Sequence, residues 1–571
     1  MSASHARNTK LQIAAVSSAI ALALLAGSSQ AQISQSAERK NMQRTGHTDL
    51  QGRSSYQPTP ITYPDGRVIL FAGLHSTIPI VRAPCPAGTL PNPLNGNACE
   101  ANGTMIIDVT DANNPVEVFH IPATTGGQST MVRACRGDKL PGGDSNSVYI
   151  IRSVQGGPSS GYEQWDVTNP AAPRRLKALT GIRSTHKLWW ECSTGIAYMP
   201  GSLDATHSPI GAAGVWRQSQ SMVIYDWSNP NNGQPPVYIR TFGLPGAQPS
   251  GTGNVPPALH GPISAHDHPK ASQSLAGSTD STDVIGNRIY AAWGVGDDGV
   301  MTIIDRNKLL PAAYGGSWVP GPGAGGVGTT ADNPAESDLY GPTSPTVGYY
   351  LMSPDQGGHS SWPIFGLQPK GFANFSELKT RDIVVITSEA TANTANGFCT
   401  DNPHVGFVVD VTIENSFTST GPEHAPQQSY QGPMGLGTLW VDPRFGERYP
   451  RGNYCNRPVR FGTHSTDENF NSPLVGKLTT VAWFNGGLRV WDIREPFNVM
   501  QVAFYVPEGN ANTPPLQGGQ LAYMTNNVDI DNRGFIYIVD RNGAGMDILQ
   551  LTGCAAQIVM ANGACPRIDN P

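Results

Sequence analysis

One short pattern recurs seven times along this chain, and it limits the fold more than any other feature. Met105-Ile106-Ile107-Asp108-Val109-Thr110 runs on to Asn114-Pro115, and Glu163-Gln164-Trp165-Asp166-Val167-Thr168 to Asn169-Pro170. Val223-Ile224-Tyr225-Asp226-Trp227-Ser228 leads into Asn229-Pro230 in the same way. Thr302–Asp305, Phe407–Thr412 and Arg489–Ile493 repeat the pattern, and Met546–Leu551 is a degenerate last copy with Gln550 in place of the aspartate. Each copy reads as a buried strand ended by Asp, whose carboxylate can accept from the backbone amides of the turn that follows. Proline is tolerated there because the strand has stopped.

A second apolar strand precedes each copy by about ten to twenty residues. These strands are Arg67–Phe71, Val148–Ile151, Ile196–Met199, Ile289–Trp293, Ile383–Ile386, Thr479–Trp483 and Phe535–Val539. Another often follows the turn, as at Val116–Phe119 and Val499–Ala503. A period of roughly 55 to 60 residues with three or four strands per unit is the spacing of a propeller blade. The content of 65 Gly and 48 Pro with 14% charged residues fits many short strands and tight turns. The chain therefore reads as all-β: a single β-propeller of seven blades, with long loop insertions at Asn307–Thr346 and Glu414–Pro458.

The pattern apolar-apolar-apolar-Asp-Val-Ser/Thr-x-Pro resembles the LVIVD repeat of exported bacterial propellers, and the resemblance covers nearly the whole chain beyond its leader. It implies an architecture and leaves the substrate open.

Residues 1–31 have the form of a signal peptide. His5, Arg7 and Lys10 precede an apolar run from Leu11 to Gly27, and Ser29-Gln30-Ala31 offers small residues for cleavage. That run is too short and too rich in Ala and Ser to span a membrane well. Residues 32–64 form an N-terminal segment in which Gln57–Tyr63 is a candidate strand for closing the ring. The propeller is assigned to 65–553, and 554–571 to a tail closed by a disulfide. The eight cysteines fall into local pairs: Cys85 with Cys99, Cys135 with Cys192, Cys399 with Cys455, and Cys554 with Cys565. Disulfides fit a periplasmic or secreted chain. A net charge of −6 with no Lys/Arg run argues against nucleic acid and against an anionic membrane surface.

The innermost strand of each blade lines the central channel and precedes the two strands assigned above. Histidines stand there in four consecutive blades: Thr185-His186-Lys187, Ser264-Ala265-His266-Asp267-His268, Gly358-His359-Ser360 and Gly462-Thr463-His464-Ser465. Matching positions of neighbouring blades converge on the axis. His186, His266 (His268 as the alternate), His359 and His464 are thus expected to bind a transition metal, with copper, iron and zinc all suited to neutral imidazole. Asp267, Asp467 and Glu468 are expected to orient the rings. A structural role, bonding the backbone of the next blade, stands beside this reading. His75, His120, His207, His260, His404 and His424 are placed in turns or insertions and expected to be solvated.

Carotenoid-cleaving oxygenases and selenium-binding thiol oxidases offer analogous histidine-bearing propellers, although the motifs of neither family are present. No serine elbow, phosphate-binding loop or His-Glu-x-x-His helix is found either. The leading expectation is a metal-dependent oxidoreductase acting on a small organic substrate, with the insertion loops closing over the channel mouth. Two alternatives remain beside it: a non-catalytic scaffold binding a protein or glycan partner, and a lyase or hydrolase using the same channel.

Overall fold

The repeated aspartates end their strands by the expected local chemistry. The computed structural model describes residues 38–568 apart from 77–83, 125, 157–159, 204–215, 269–286, 295–297, 320–333, 340–343, 370–379, 390–398, 400–401, 415–431, 458 and 514–522. Oδ1 of Asp108, Asp166, Asp226, Asp305, Asp410 and Asp492 accepts from the backbone N–H two residues further on, at 2.8–3.1 Å. The hydroxyls of Thr110, Thr168 and Thr412 add a second tie, accepting at 3.0–3.1 Å from the first amides of the neighbouring strands at Val68, Val148 and Asp382. The Asp-Val-Thr pattern thus clamps the second and third strands of a blade together.

The chain divides into two compact units, Met1–Glu38 and Arg39–Pro571. The leader at 1–31 lies outside the described residues. The second unit is a seven-bladed β-propeller, with its strands in seven sheets. Within a blade the chain meanders outward from the axis. In blade 4, for example, Leu259–Ser264 pairs with Arg288–Trp293, then Val300–Asp305, then Thr346–Leu351, each antiparallel to the last. All seven copies of the repeat and six of the seven expected second strands occupy these middle positions; in blade 6, Leu478–Ala482 ends its sheet and meets the segment before it through a bridge between Thr466 and Val481.

The ring is closed from within the N-terminal segment, but not by Gln57–Tyr63. Met42–Thr48 pairs with Met546–Leu551 as the outer strand of blade 7. Gln57–Thr62 instead belongs to Ser55–Thr62, the inner strand of blade 1, because it pairs in continuous register with Val68–Leu74. Large side chains fill the spaces between blades. Trp362, Trp483, Trp491, Phe445, Phe461 and Phe504 share one buried cluster between blades 5 and 6. Each such side chain contributes roughly 1.5–3 kcal/mol by leaving water.

Four disulfides join Cys85–Cys99, Cys135–Cys192, Cys399–Cys455 and Cys554–Cys565. The last closes a tail that begins with the helix Gly553–Ala561. Among the described residues no helix is long and apolar enough to cross a membrane.

The insertions do not all lie where expected. Asn307–Thr346 leaves blade 4 at Asp305, which pairs with Arg288, at the opposite end of the blade from Leu259 and Trp293. Glu414 likewise follows Asp410, which pairs with Ile383 at the end of blade 5 far from Gly358 and Ser388. Only the later part of that insertion returns to the inner-strand starts, where Cys455 is tied to Cys399 ahead of Gly406–Asp410.

Candidate metal centre

The inner strands share an irregularity at their starts. Where each passes the end of its second strand, the pairing slips, and the extra residues are Tyr56 in blade 1, His260 in blade 4, His359 in blade 5 and Asn526-Asn527 in blade 7. Blade 6 does the same: His464 N donates to Ala482 O, while Ala482 N donates to Ser465 O. In blade 3, His186 lies in the break between Ile182–Arg183 and Trp189–Trp190, both paired with Ile196–Leu203. A bulge interrupts the alternation of a strand and re-aims a side chain. Here it brings side chains from successive blades together at the axis. Small residues let the strands approach closely: a Cβ added at Gly261 would sit 2.8 Å from the His359 carbonyl oxygen.

Four imidazoles meet at this level. His186 Nε2 lies 2.8 Å from His260 Nε2, and the ring centroids of His260–His359 and His359–His464 are 4.0 and 3.9 Å apart. The Tyr56 hydroxyl stands among them, 2.9 Å from His186 Nε2 and 3.0 Å from His359 Nε2. Glu389 flanks the set, its carboxylate 3.9 Å from His260 and His359 Nε2 and 3.6 Å from His464 Nε2. Two overlapping groups here have donor atoms close enough to hold one ion: His186/His260/His359, and His359/Glu389/His464. His260, His359 and His464 are buried, and His186 is partly buried.

The tautomer of His464 follows from its partners. Its Nδ1 donates to Asn526 O at 2.7 Å and to Asn527 Oδ1 at 2.6 Å, both of which only accept. Burial, outweighing the nearby Glu389, holds the ring neutral by lowering its pKa. Nε2 is then a lone pair, buried and without a hydrogen-bond partner, and it faces a carboxylate. Burial likewise lowers the pKa of His186, His260 and His359. Burial alone would raise that of Glu389, but the groups around it, the Arg541 guanidinium among them, more than compensate and lower it.

Of the residues expected from sequence, His186, His359 and His464 come together and His266 does not. His266 follows the end of the inner strand, where its Nδ1 bonds Asn287 Oδ1 at 2.7 Å. His260, expected in solvent, takes its place at the strand start. His268 stacks on Phe470, with centroids 4.5 Å apart. Asp267 accepts from Cys192 N at 3.1 Å on the exposed surface. Asp467 accepts from the Thr480 amide and hydroxyl at 3.0 and 2.7 Å. Glu468 binds Lys187 Nζ at 2.6 Å and the Arg133 guanidinium. The polar groups that do touch the imidazoles are Asn526, Asn527, Tyr56, Gln155 and Glu389.

Other histidines expected in solvent are buried as well. His120 is wedged between Glu100 at 2.6 Å and the Gly103 amide at 3.3 Å, and His404 bonds the Ser388 hydroxyl at 2.8 Å. His207 and His424 lie outside the described residues.

A second group of side chains lies at the same end of the channel, and it obeys a simple rule: each is the first residue past a second strand. His75, Gln155, Glu389 and Arg541 follow Val68–Leu74, Val148–Val154, Arg381–Ser388 and Ile536–Asp540. Arg460 Nη1 donates to Glu389 Oε1 at 3.0 Å. Arg541 Nη2 donates to His75 Nε2 at 2.9 Å.

No family model matches the sequence, and no curated protein does. Many solved structures share the propeller architecture. One is Raptor from Chaetomium thermophilum (10% identity, TM-score 0.39), where 91% of this chain matches but only 30% of that one is spanned. Another is hydrazine synthase from Kuenenia stuttgartiensis (11% identity, TM-score 0.40, 88% of this chain and 96% of that one). A third is a hypothetical selenium-binding protein from Sulfolobus tokodaii (10% identity, TM-score 0.39, 79% and 87%). At these identities the likeness goes no further than the fold.

Proposed function

We propose that this chain is an exported propeller metalloprotein. In this reading His186, His260, His359 and His464, with Glu389 alongside, hold a transition metal, and the protein is an oxidoreductase acting on a small organic substrate. The observation that carries the reading is the pairing of two acceptors. The His464 Nε2 lone pair faces the ionised Glu389 carboxylate at 3.6 Å, with no hydrogen-bond partner of its own. Two buried acceptors in that relation call for a cation between them. Metal–nitrogen bonds of about 2.0–2.1 Å also place neighbouring ligand nitrogens about 2.8–3.4 Å apart, which the 2.8 Å His186–His260 separation fits.

Copper, iron and zinc all suit imidazole, and the first two would supply one-electron chemistry. The chain's own residues have separable tasks. The Asn526 carbonyl and the Asn527 side chain fix the tautomer of His464. Tyr56, whose hydroxyl is kept protonated by burial and by Glu389, holds a proton 2.9–3.0 Å from two imidazoles. The apolar leader, the four disulfides and the LVIVD-like repeat support export.

The test is the metal content of the processed chain, purified without added metal or chelator. About one equivalent of copper, iron or zinc is expected. It should be lost in a His359→Ala/His464→Ala variant that keeps the circular dichroism spectrum of the parent. Failure to bind any of the three metals on loading would sink the reading.

A further inference from the structure

The inner-strand bulges that aim His260, His359 and His464 at the axis have a counterpart in blade 1, and there the extra residue is Tyr56. Its placement is tied to theirs. The Asn526 side chain donates to the Tyr56 carbonyl at 3.1 Å, while the Asn526 carbonyl accepts from His464 Nδ1 at 2.7 Å. The Tyr56 hydroxyl is buried and meets His186 Nε2 at 2.9 Å and His359 Nε2 at 3.0 Å. Other buried tyrosines brace the fold with theirs. Tyr63 and Tyr162 donate to the Val167 and Pro200 carbonyls at 2.7 and 2.6 Å, and Tyr537 donates to Asp531 at 2.7 Å. Tyr56 instead turns its hydroxyl to the imidazoles of two other blades, and among the described residues no backbone group or carboxylate shares it. The separations from His260 to His186, to Tyr56 and to His359, at 2.8, 2.9 and 3.0 Å, are also those of adjacent ligands at right angles on one ion with bonds of about 2.0–2.1 Å.

We infer that Tyr56 is a direct ligand of the ion held at this centre, the oxygen counterpart in blade 1 of the histidines of blades 3 to 6, and that the ion is copper(II) or iron(III). The inference rests on the metal reading above and adds to it a ligand and an oxidation state. In the metal-free chain the phenol keeps its proton. On binding, its O–H bond is exchanged for a metal–oxygen bond and the proton passes to the buffer, with no change in the oxidation state of the ion. The Tyr56 phenolate and the Glu389 carboxylate are both anionic oxygens, and by Coulomb's law they favour the more highly charged member of a redox couple.

The experiment is visible spectroscopy of the metal-free chain titrated in turn with copper(II) chloride, iron(III) citrate and zinc chloride. Copper(II) or iron(III) is expected to raise a visible charge-transfer band from the phenolate, which zinc, with its filled d shell, does not give. A thiolate is not its source, because the eight cysteines are paired in disulfides. Tyr56→Phe should lose the band and still take up the same ion, with an affinity lower by at least about tenfold. A tyrosine that only hydrogen-bonds the rings would give a parent chain with bound copper or iron and no band. That result overturns the inference and leaves the metal centre standing, as does uptake of zinc alone or a band that survives in Tyr56→Phe. Should Tyr56→Phe fail to fold, resonance Raman scattering excited within the band decides the matter in the parent. Phenolate ring modes must appear and must shift when the chain is made with ring-deuterated tyrosine; their absence overturns the inference. A chain that binds none of the three ions sinks both proposals.

Discussion

Two polar layers lie on the same inner strands, a residue or more apart, and they are finished to different degrees. At the histidine layer, His464 Nε2, His260 Nδ1 and His359 Nδ1 are buried without hydrogen-bond partners. In the next layer the charged groups are hydrogen-bonded to one another. Glu468 accepts from Lys187 at 2.6 Å, from Ser360 at 3.3 Å and from Arg133, which also donates to Leu188 O at 3.0 Å. Burial alone would raise the pKa of Glu468, but Lys187 and Arg133 hold it at about 2. One layer is complete within the protein and the other is not. The difference separates charge that holds blades together from nitrogen kept ready for something else, and it explains why Asp467 and Glu468, close to His464 in sequence, belong to the structural layer.

The sharpest way to break this contrast is to open the closed layer. Glu468→Gln leaves Lys187 and Arg133 buried without their counter-charge and should cost about 3–5 kcal/mol in denaturant unfolding. His359→Ala, by contrast, should cost no more than about 2 kcal/mol, because it deprives no protein charge of its partner. A reversed order would show that the histidine layer is the structural one.

Metal should complete the open layer and nothing else. A saturating ion at a hundred times its dissociation constant should stabilise the chain by about 2.7 kcal/mol, seen as a raised melting temperature that a chelator reverses. The His359→Ala/His464→Ala variant should not respond. A smaller effect isolates the tautomer: Asn527→Ala should weaken metal affinity by about 10- to 100-fold while leaving the metal-free stability nearly unchanged.

A separate test of the closed layer concerns pH. Burial lifts the Asp529 carboxyl in the closed layer from 3.8 to about 8, so the folded chain keeps a proton that the unfolded chain releases. Its contribution to stability therefore falls as pH rises from about 4 to about 8. Asp529→Asn should remove that slope, with the gain over the parent growing toward the upper end of the range. An unchanged slope in the pH series would place the proton elsewhere.

Much of this was legible in the sequence, for physical reasons. A strand that ends in a side-chain-capped turn must spell both apolar run and cap, so Asp108 and its counterparts mark the third strand of the blades. Short disulfide loops likewise pair cysteines that are close along the chain. The site was only partly readable, because a bulge leaves no compositional trace. His260 and His266 look equivalent on paper, yet six residues of strand separate them by about 20 Å. The second strand, which would have set the register, begins only at Arg288, beyond a long insertion. Glu389 and Arg541 could have been found by one rule, the first residue past each second strand, but nothing in the repeat marks that position. Asn526 and Asn527 stood at the right place and differ from the others only in being amides.

The closure of the ring by Met42–Thr48 has a consequence for how the protein matures. Asn526 donates to the Tyr56 carbonyl across 470 positions of sequence, and His47 meets Asp547 across 500. Contacts of such range form slowly, since the intervening chain must be gathered before they are rewarded. Blade 7 has no outer strand until the two ends of the chain meet, and the tether on His464 belongs to that blade. A nascent chain missing its last forty residues would hold all four imidazoles and still have no finished blade 7. The arrangement of the histidine cluster is therefore expected to wait for completed synthesis, and loss at either terminus should disturb it without touching a single imidazole.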